Sequence, residues 1–393
     1  MRVLMLALLF FWLFCPVCGQ DANTISSMQD SLDQHVRPAF WIDFEQDFLL
    51  DFLPGINQDR NYTQGTAFSF ESPQLRNNLL FIPLELLSRL QNKLSKTNNH
   101  LVLPSVLSFG ITAFTPRVID APGPVIGDRP FANLVWLSTV RNTINIHTGW
   151  YTQTGLHFGW LGSNTANVFQ SFAHRSLIKG RPTDISWEHQ ISRGGAPAFL
   201  FSLRSMRSLW QFPNDSGSTW RWFDLSAGGH IQAGWYTGIG LPVQIKAGKI
   251  SLNSLMSNDL SAILSNGNRL LRKAEGRPEP SNPSKHTPSN NKSFFEAYLF
   301  ISAEPRITPH NSMLLGQPGK KDTYVLPDEN YNPLLLDIEY GIVLSKLHIR
   351  DQTLLPVKRF DVILSMQTRS PEIINTTYQR WHHWGRVGVR CSL

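Results

Sequence analysis

The sequence predicts an all-β fold, an antiparallel transmembrane β-barrel. Three observations support this prediction: an export signal at the N-terminus, a composition poor in charge and rich in aromatic residues, and strand-like alternation that continues to the C-terminus. Charged residues make up only 17% of the chain, which holds 12 Trp and 24 Phe, whereas soluble domains carry about 25% charged residues. Barrel strands alternate lipid-facing and polar residues and leave no long apolar run. A secreted all-β enzyme is an alternative that composition leaves open.

The N-terminus indicates the compartment. Arg2 is followed by an apolar run over residues 3–14, which suits the core of a signal peptide and is too short to span a bilayer as a helix. We expect residues 1–19 to be a cleaved signal peptide and residues 20–393 to form a single outer-membrane β-barrel domain. Cys18 leaves a lipoprotein as an alternative. After cleavage only Cys391 would remain, so no internal disulfide is expected.

The charge balance limits the partners. The net charge is +7, and for an exported protein an anionic lipid surface is a more natural partner than nucleic acid. Basic residues that only decorate loops are the alternative. We expect outer-membrane lipids as surroundings, no nucleic-acid partner, and a monomer.

Five segments alternate apolar and polar residues with the period of a β-strand. A membrane barrel requires an apolar outward face and a polar inward face, whereas in a soluble sandwich the same stripes would face a core. The last stripe runs to the end of the chain, which suits a barrel closed by its final strand. The apolar members are Ile239, Leu241, Val243, Ile245 and Ala247; Phe295, Ala297, Leu299 and Ile301; Leu334, Leu336, Ile338, Tyr340, Ile342 and Leu344; Phe360, Val362, Leu364 and Met366; and Val387, Val389, Cys391 and Leu393.

Other segments depart from this alternation. Residues 82–95 predict a short amphipathic helix with Leu87, Leu90 and Leu94 on one face. Residues 252–293 predict a long mobile loop, because 273–293 are rich in Pro, Ser, Asn and Lys. Trp381 and Trp384 precede the final stripe and are expected either in an aromatic girdle or in ordinary packing.

Polar clusters mark candidate chemistry at three places: residues 45–47, residues 59–65 and residues 170–190. Gln170 and His174 are four residues apart and would share one face of a helical turn. A histidine is the usual general base for activating water. Asp47 offers an oxygen ligand for Ca²⁺, and a cation beside an ester stabilises a developing oxyanion. The alternative is that these are ordinary loop and barrel-interior residues.

In these clusters the sequence resembles the LpxR-type lipid A deacylases, outer-membrane enzymes that remove 3′-linked acyl chains from lipid A. The resemblance runs from about Phe40 to Leu393. It rests on an acid-amide-acid motif, a D-x-x-Y-T-x-G element, a T-P element, a D-R-P-[YF]-A element, and Q-x-x-x-H followed by W-x-x-Q. These match Glu45–Asp47, Asp59–Gly65, Thr115–Pro116, Asp128–Ala132, Gln170 with His174, and Trp187 with Gln190.

The resemblance implies a 12-stranded barrel with an active site near the outer rim. It implies that His174 deprotonates water, that Gln170 orients it or the substrate, and that Asp47 takes part in binding Ca²⁺. Gln46 and Thr63 fall at further site positions. If the first strand begins in the periplasm, the loops after strands one, three and five face outward and bring these residues together. Basic residues near His174 would face the phosphates of the lipid A substrate; the candidates are Arg117, Arg175 and Lys179.

The chain departs from the family pattern at three points. Gln46 stands where the family usually has Asn, no Lys follows the T-P element, and an acidic residue expected shortly after the histidine is missing, with Asp184 or Glu188 as alternatives. The predicted function is an outer-membrane hydrolase that removes ester-linked acyl chains from lipid A. The alternatives are a barrel of the same descent that has lost catalysis and serves structure or lipid binding, and a porin-like channel, for which twelve strands leave little open lumen.

Overall fold

We describe the fold from a computed structural model of the chain. The structure describes residues 38–47, 61–95, 100–145, 148–176, 187–212, 220–251, 294–347 and 359–392, together with Ser26, Gln29, Asp30, Asp33 and Leu49. The predicted signal peptide (residues 1–19), the predicted mobile loop (252–293) and Lys179 lie outside the described residues.

Strands dominate the described chain and form one sheet that closes on itself. Strand β9 and strand β10 are two halves of a single barrel strand, and β3 is a short addition that pairs only with β5, so the described residues form a closed 12-stranded antiparallel barrel. This confirms the predicted fold class. The strands are β1 (Ala39–Gln46), β2 (Asn61–Ser72), β3 (His100–Val102), β4 (Ser105–Thr115), β5 (Ala132–Asn145), β6 (Tyr151–Leu161), β7 (Ala196–Phe212), β8 (Trp220–Gly234), β9 (Tyr236–Gly240), β10 (Val243–Ser251), β11 (Phe294–Asn311), β12 (Leu334–Leu347), β13 (Arg359–Arg369) and β14 (His382–Ser392).

Closure joins the first strand to the last. β1 pairs with β14 from Ala39 opposite Ser392 to Gln46 opposite Gly385, and β1 also pairs with β2. Both edges of β1 are therefore hydrogen-bonded, and the barrel presents no open sheet edge between its first and last strands.

The two faces of the wall differ as a membrane barrel requires. Large apolar side chains point outward and are about half exposed, such as Phe68 (53%), Phe109 (52%) and Phe158 (52%). Their strand neighbours point inward and are mostly polar. An apolar exterior around a polar interior excludes the soluble sandwich that the alternation had left open.

Ion pairs cross the interior between strands that are not neighbours in the sheet. Arg386 of β14 contacts Glu339 of β12 at 3.2 Å, and Arg204 of β7 contacts Glu304 of β11 at 3.4 Å. Buried charges need such partners. These ion pairs and an apolar cluster that includes Phe114, Leu134 and Trp384 fill space inside the barrel, which disfavours the porin-like alternative.

One predicted stripe is interrupted. The apolar series from Ile239 to Ala247 was expected to run as one strand, but β9 ends at Gly240 and β10 begins at Val243. Pro242 lies in the gap. Proline has no N–H to give to a sheet ladder, so it breaks the strand at this point.

The two tryptophans that precede the last apolar stripe lie in different environments. Trp381 is 45% exposed, in keeping with a girdle position. Trp384 is buried and donates its indole N–H to Glu45 at 3.3 Å, so it takes the packing alternative inside the barrel.

The strand connections divide between two rims. The distal rim carries the connections after β1, β4, β6, β8, β11 and β13. The terminal rim carries the start of β1, the end of β14 and the remaining connections. The three predicted site clusters and the T-P and D-R-P-F-A elements fall at the distal rim, because they lie at or within the connections after β1, β4 and β6.

Three helices accompany the described strands: α1 (Ile82–Ser95), α2 (Thr165–Ser176) and α3 (Ser312–Leu315). The predicted helix over 82–95 is confirmed as α1, which packs on the outer wall at the terminal rim through Leu84 and the preceding Phe81. Leu87 and Leu90 face away from the wall and are exposed. None of the described helices is long and apolar enough to cross a membrane.

The assignment of the outer wall predicts a sharp difference between two substitutions at Phe109, at the middle of β4. A charged side chain at mid-height on a lipid-facing wall costs about 2–4 kcal/mol. We expect Phe109→Arg to lower the free energy of unfolding from lipid vesicles by about that amount. The matched control Phe109→Leu should cost less than about 1.5 kcal/mol. Equal losses in urea titrations of the two variants would contradict the assignment.

Candidate active site

The site begins with a row of residues across four neighbouring strands at the distal rim. Gln46 lies on the same face of β1 as the exposed Phe40 and Ile42, so it faces outward, yet it is only 8% exposed. Ala113 of β4 pairs directly with Gln64 of β2 and with Asn133 of β5. We call Gln46, Gln64, Ala113 and Asn133 the wall row. The side chains of Gln46, Ala113 and Asn133 face the outer wall and not the lumen, and Gln64 belongs to the row by its backbone register.

The connection after β6 folds over this row. Asn133 is fully buried and donates from its amide to the Ser163 carbonyl at 2.9 Å and to the Thr165 hydroxyl at 3.1 Å. These contacts tie the start of α2 to β5. Ala113 and Ala166 are both about 1% exposed and pack in one apolar cluster. Small residues at these two positions let α2 lie close against the wall.

Gln170 is held in the middle of α2. It is 6% exposed, and its amide oxygen accepts a hydrogen bond from the indole N–H of Trp187 at 2.9 Å. Trp187 packs against Phe131, with ring centroids 4.9 Å apart. The carbonyl side of the Gln170 amide is thereby fixed, and its NH₂ group is oriented as a donor.

His174 follows Gln170 by four residues in the same helix. Two residues at this spacing lie on one face of an α-helix. The sequence suggested only a helical turn here, and the helix extends over twelve residues. The side chains of His174 and Arg175 lie outside the described part of the structure, so their roles stay predictions.

Backbone register places Asp47 and Thr63 at the same level of β1 and β2. Glu45 pairs with Gly65 in antiparallel register, so Asp47, two residues further on, lies level with Thr63. Asp47 is 4% exposed. The pairing of β2 with β4 shifts between Tyr62 and Gln64, which makes Thr63 the extra residue of a β-bulge. Bulges redirect side chains beside functional sites.

Arg117 and Glu188, two further residues that the sequence suggested for the site, are exposed at the surface. Arg117 is exposed, and its backbone N–H donates to Asp128 at 2.6 Å. Glu188, one alternative for the missing acid, has a side chain 69% exposed that faces Arg193 at 4.0 Å. Asp184, the other alternative, lies outside the described residues. The structure therefore gathers the backbones of Gln46, Asp47, Thr63 and Gln170 at one side of the distal rim, and places Glu188 at the surface.

A buried ionic cluster braces the loop that carries Phe131. Arg129 is 1% exposed, stacks over the Phe114 ring at 4.1 Å and faces Glu372 at 3.6 Å. Asp128 next to it accepts from Arg380 at 3.3 Å. Asp128 and Arg129 belong to the D-R-P-F-A element. Their partners Arg380 and Glu372 lie in the connection after β13 and were not evident from the sequence.

The environment of Glu372 keeps it charged. Burial acts to raise its pKa, but Arg369 and Arg129 outweigh burial and hold the pKa of Glu372 below its usual value. Burial lowers the pKa of Arg129, against the opposing effect of Glu372. Glu372 therefore favours the charged form of Arg129, and Arg129 favours the charged form of Glu372. The cluster joins the connections after β4 and β13 at the distal rim.

The oxygen donors described near Asp47 do not complete a calcium site. Ca²⁺ takes about six to eight oxygen ligands. Among the residues described, no three His, Cys, Asp or Glu side chains converge as metal ligands. Asp47 supplies one carboxylate, and Gln46 adds one amide oxygen of the kind that Ca²⁺ accepts.

Comparison with known proteins places this architecture in context. The family model described as "Outer membrane protein LpxR" matches residues 4–393. The chain is similar in structure to LpxR from Salmonella typhimurium, with a TM-score of 0.58 and 15% identity, over 90% of this chain and 100% of that one. No curated protein sequence matches the chain.

Two further structures show much lower similarity. The β domain of the Bordetella autotransporter BrkA gives a TM-score of 0.35 at 10% identity, over 91% of this chain and 99% of that one. The KdgM porin gives a TM-score of 0.30 at 8% sequence identity, over 91% of this chain and 99% of that one. Neither similarity bears on the function of this chain.

The ionic cluster predicts an acid-dependent contribution to stability. Glu372→Gln removes a charge that Arg129 needs, and we expect the free energy of unfolding at neutral pH to fall by about 3–5 kcal/mol. The exposed control Glu188→Gln should change it by less than about 0.5 kcal/mol.

The same pair of variants gives a pH test. A carboxylate whose folded-state pKa is lowered stabilises the fold above its unfolded pKa of about 4.3 and loses that effect as the pH falls through the folded-state value. The difference between wild type and Glu372→Gln should be constant from about pH 8 to about pH 5.5 and shrink below about pH 4. A difference that already disappears near neutral pH would contradict the proposed ion pair.

Proposed function

The chain belongs to the outer membrane protein LpxR family, and on this premise we propose that it hydrolyses ester-linked fatty acyl chains of lipid A by 3′-O-deacylation. The observation that carries the proposal is the position of the wall row. Gln46 and Asn133 are buried polar residues on the outer wall at the distal rim, and α2 covers the row at Ala113 and Asn133. A lipid substrate reaches such a site sideways from its leaflet, without entering the barrel.

The surface next to the wall row suits acyl chains. Phe109, Phe158 and Trp160 lie on the outer wall below the row and are each about half exposed. In the proposed orientation the distal rim faces outward, and acyl chains lie along these rings. The ester then lies at the level of the wall row, with the substrate's phosphates above it, toward Arg117, Arg175 and Lys179.

In the proposed reaction, His174 takes a proton from water, and the resulting hydroxide attacks the ester carbonyl. The tetrahedral intermediate collapses with cleavage of the bond to the sugar oxygen, which takes the proton from His174. The products are a free fatty acid and a sugar hydroxyl. One histidine therefore acts first as base and then as acid.

Gln170 would serve this step as an oriented donor. Its amide oxygen accepts from Trp187, which leaves the NH₂ group to hold the attacking water or the carbonyl oxygen. Fixed donors of this kind stabilise charge that develops in the transition state. Thr63, at the bulge beside Asp47, would add a hydroxyl to the same pocket.

Calcium is proposed only as an auxiliary ion at Asp47. When bound, it would polarise the ester carbonyl as a Lewis acid. The donors described there are too few for a full ligand shell, so no step above depends on it.

A barrel that binds lipid A without hydrolysing it is the second candidate. The longer Gln46 in place of Asn and the exposed position of Glu188 favour it. A displacement of 1 Å can cost about a hundredfold in rate.

Replacing His174 separates the two candidates. In a bacterial host whose lipid A keeps its 3′-acyl chains, we expect the wild-type gene to remove acyl mass from lipid A, and His174→Ala to abolish the change. The control His189→Ala, in the same connection, should retain activity. Unchanged lipid A spectra with folded wild-type protein in the outer membrane would favour the binding barrel.

Cation dependence tests the proposed role of Asp47. If Ca²⁺ assists, a chelator should reduce wild-type deacylation, because it removes a Lewis acid that polarises the ester carbonyl. Added Ca²⁺ should restore it, and Asp47→Asn should have low activity with or without the ion. Full activity in chelator would remove calcium from the proposal and leave the histidine mechanism intact.

A further inference from the structure

A second site is indicated at the opposite end of the wall, on the outer face at the terminal rim. There a cavity of about 370 Å³ lies between α1, the short helical turn Pro73–Asn77 and strand β5. This volume is in the range of small-molecule sites, about 300–1,000 Å³. The cavity plays no part in the proposed deacylation.

Charged side chains of both signs line this cavity. Arg141 points outward from β5, is 8% exposed and pairs with Glu85 of α1. Arg89 contacts the same carboxylate at 2.9 Å. Arg76 donates to Asp33 at 3.1 Å. Three guanidinium groups and the Glu85 carboxylate thus line one space, and Asp33 pairs with Arg76 beside it.

Among the described residues, one donor of this cluster is left without an acceptor, and the carboxylate of the cluster is charged. The Nε atom of Arg141 is buried and makes no hydrogen bond within the described structure. Partial burial acts to raise the pKa of Glu85, but hydrogen bonds from Arg89 and Arg141 outweigh it and lower that pKa. Glu85 is therefore a charged acceptor at neutral pH, next to an incompletely bonded guanidinium.

The surroundings of the cavity are apolar. Phe81 and Leu84 anchor the α1 region to the wall, whereas Leu79 is 77% exposed, Leu86 58% and Leu90 55%. An amphipathic helix with such a face lies in the boundary between headgroups and acyl chains. The cavity is then at headgroup height, with space for acyl chains beside it.

We propose that this cavity binds the headgroup of a zwitterionic phospholipid, one with a phosphate and an ammonium group, from the leaflet at the terminal rim. Arg76 and Arg141 hold the phosphate through charge-assisted hydrogen bonds. The ammonium group lies against Glu85. The acyl chains extend over Leu86 and Leu90.

Lipid retention measured by native mass spectrometry tests this proposal. The purified full-length protein is delipidated in detergent and incubated with phosphatidylethanolamine or phosphatidylglycerol of identical acyl chains. We expect one phosphatidylethanolamine to be retained in preference to phosphatidylglycerol. The double variant Arg76→Gln/Arg141→Gln should weaken retention about tenfold or more, as loss of charge-assisted hydrogen bonds does. The control Arg207→Gln, on the outer wall outside the cavity, should bind like wild type.

Glu85→Gln provides the test of headgroup class. It should remove the preference for phosphatidylethanolamine and leave binding of phosphatidylglycerol unchanged or stronger. Equal retention by the double variant and wild type, or a wild-type preference for phosphatidylglycerol, would overturn the proposal. If the double variant does not fold, the single Arg76→Gln variant replaces it, because this side chain is 26% exposed.

The test of the phospholipid site does not depend on the deacylase proposal. Lipid retention is measured without any reaction, and we expect Arg76→Gln to leave lipid A deacylation unchanged. Loss of deacylation in His174→Ala with normal lipid retention would separate the two sites in the other direction.

Discussion

The structure depends on one constraint: within a bilayer every backbone N–H and C=O group must find its partner inside the protein. The pairing of β1 with β14 meets this constraint by closing the sheet. Closure gives each strand one face toward lipid and one toward the interior. At mid-height of the wall a polar side chain is then stabilised among the ion pairs of the lumen or under a cover on the outer face.

The two long helices provide such covers at opposite ends of the barrel. At the distal rim α2 lies over the wall row, and Asn133 ties its start to the wall. At the terminal rim α1 anchors through Leu84 and brings Glu85 to Arg141. In both places polar groups are held next to the lipid-facing surface but away from lipid. This arrangement suits groups that act on membrane lipids from the side.

The candidate site also depends on bracing from elsewhere in the chain. Gln170 is oriented by Trp187, which packs on Phe131. Phe131 follows Arg129, which is held by Glu372 from the connection after β13. A change in that distant connection would therefore be transmitted through packed and charged contacts to the amide of Gln170. The motif spacing contained Arg129 but gave no sign of Glu372, because contacts between remote loops leave no local pattern.

The sequence by itself determined the fold class, because alternation with period two and a low charge content follow directly from a wall with lipid on one side. It also determined α1, whose leucine spacing is a local property, and it marked Asp47, Thr63, Gln170 and His174 through their motifs. Only the tertiary structure decided that Gln46 faces the outer wall and not the lumen, and that Gln170 lies in a helix packed on that wall. Trp384 turned inward to Glu45, and Pro242 split a strand that alternation had joined. These outcomes depend on which strands pair and in which register, and strand pairing brings together residues that are far apart in the chain.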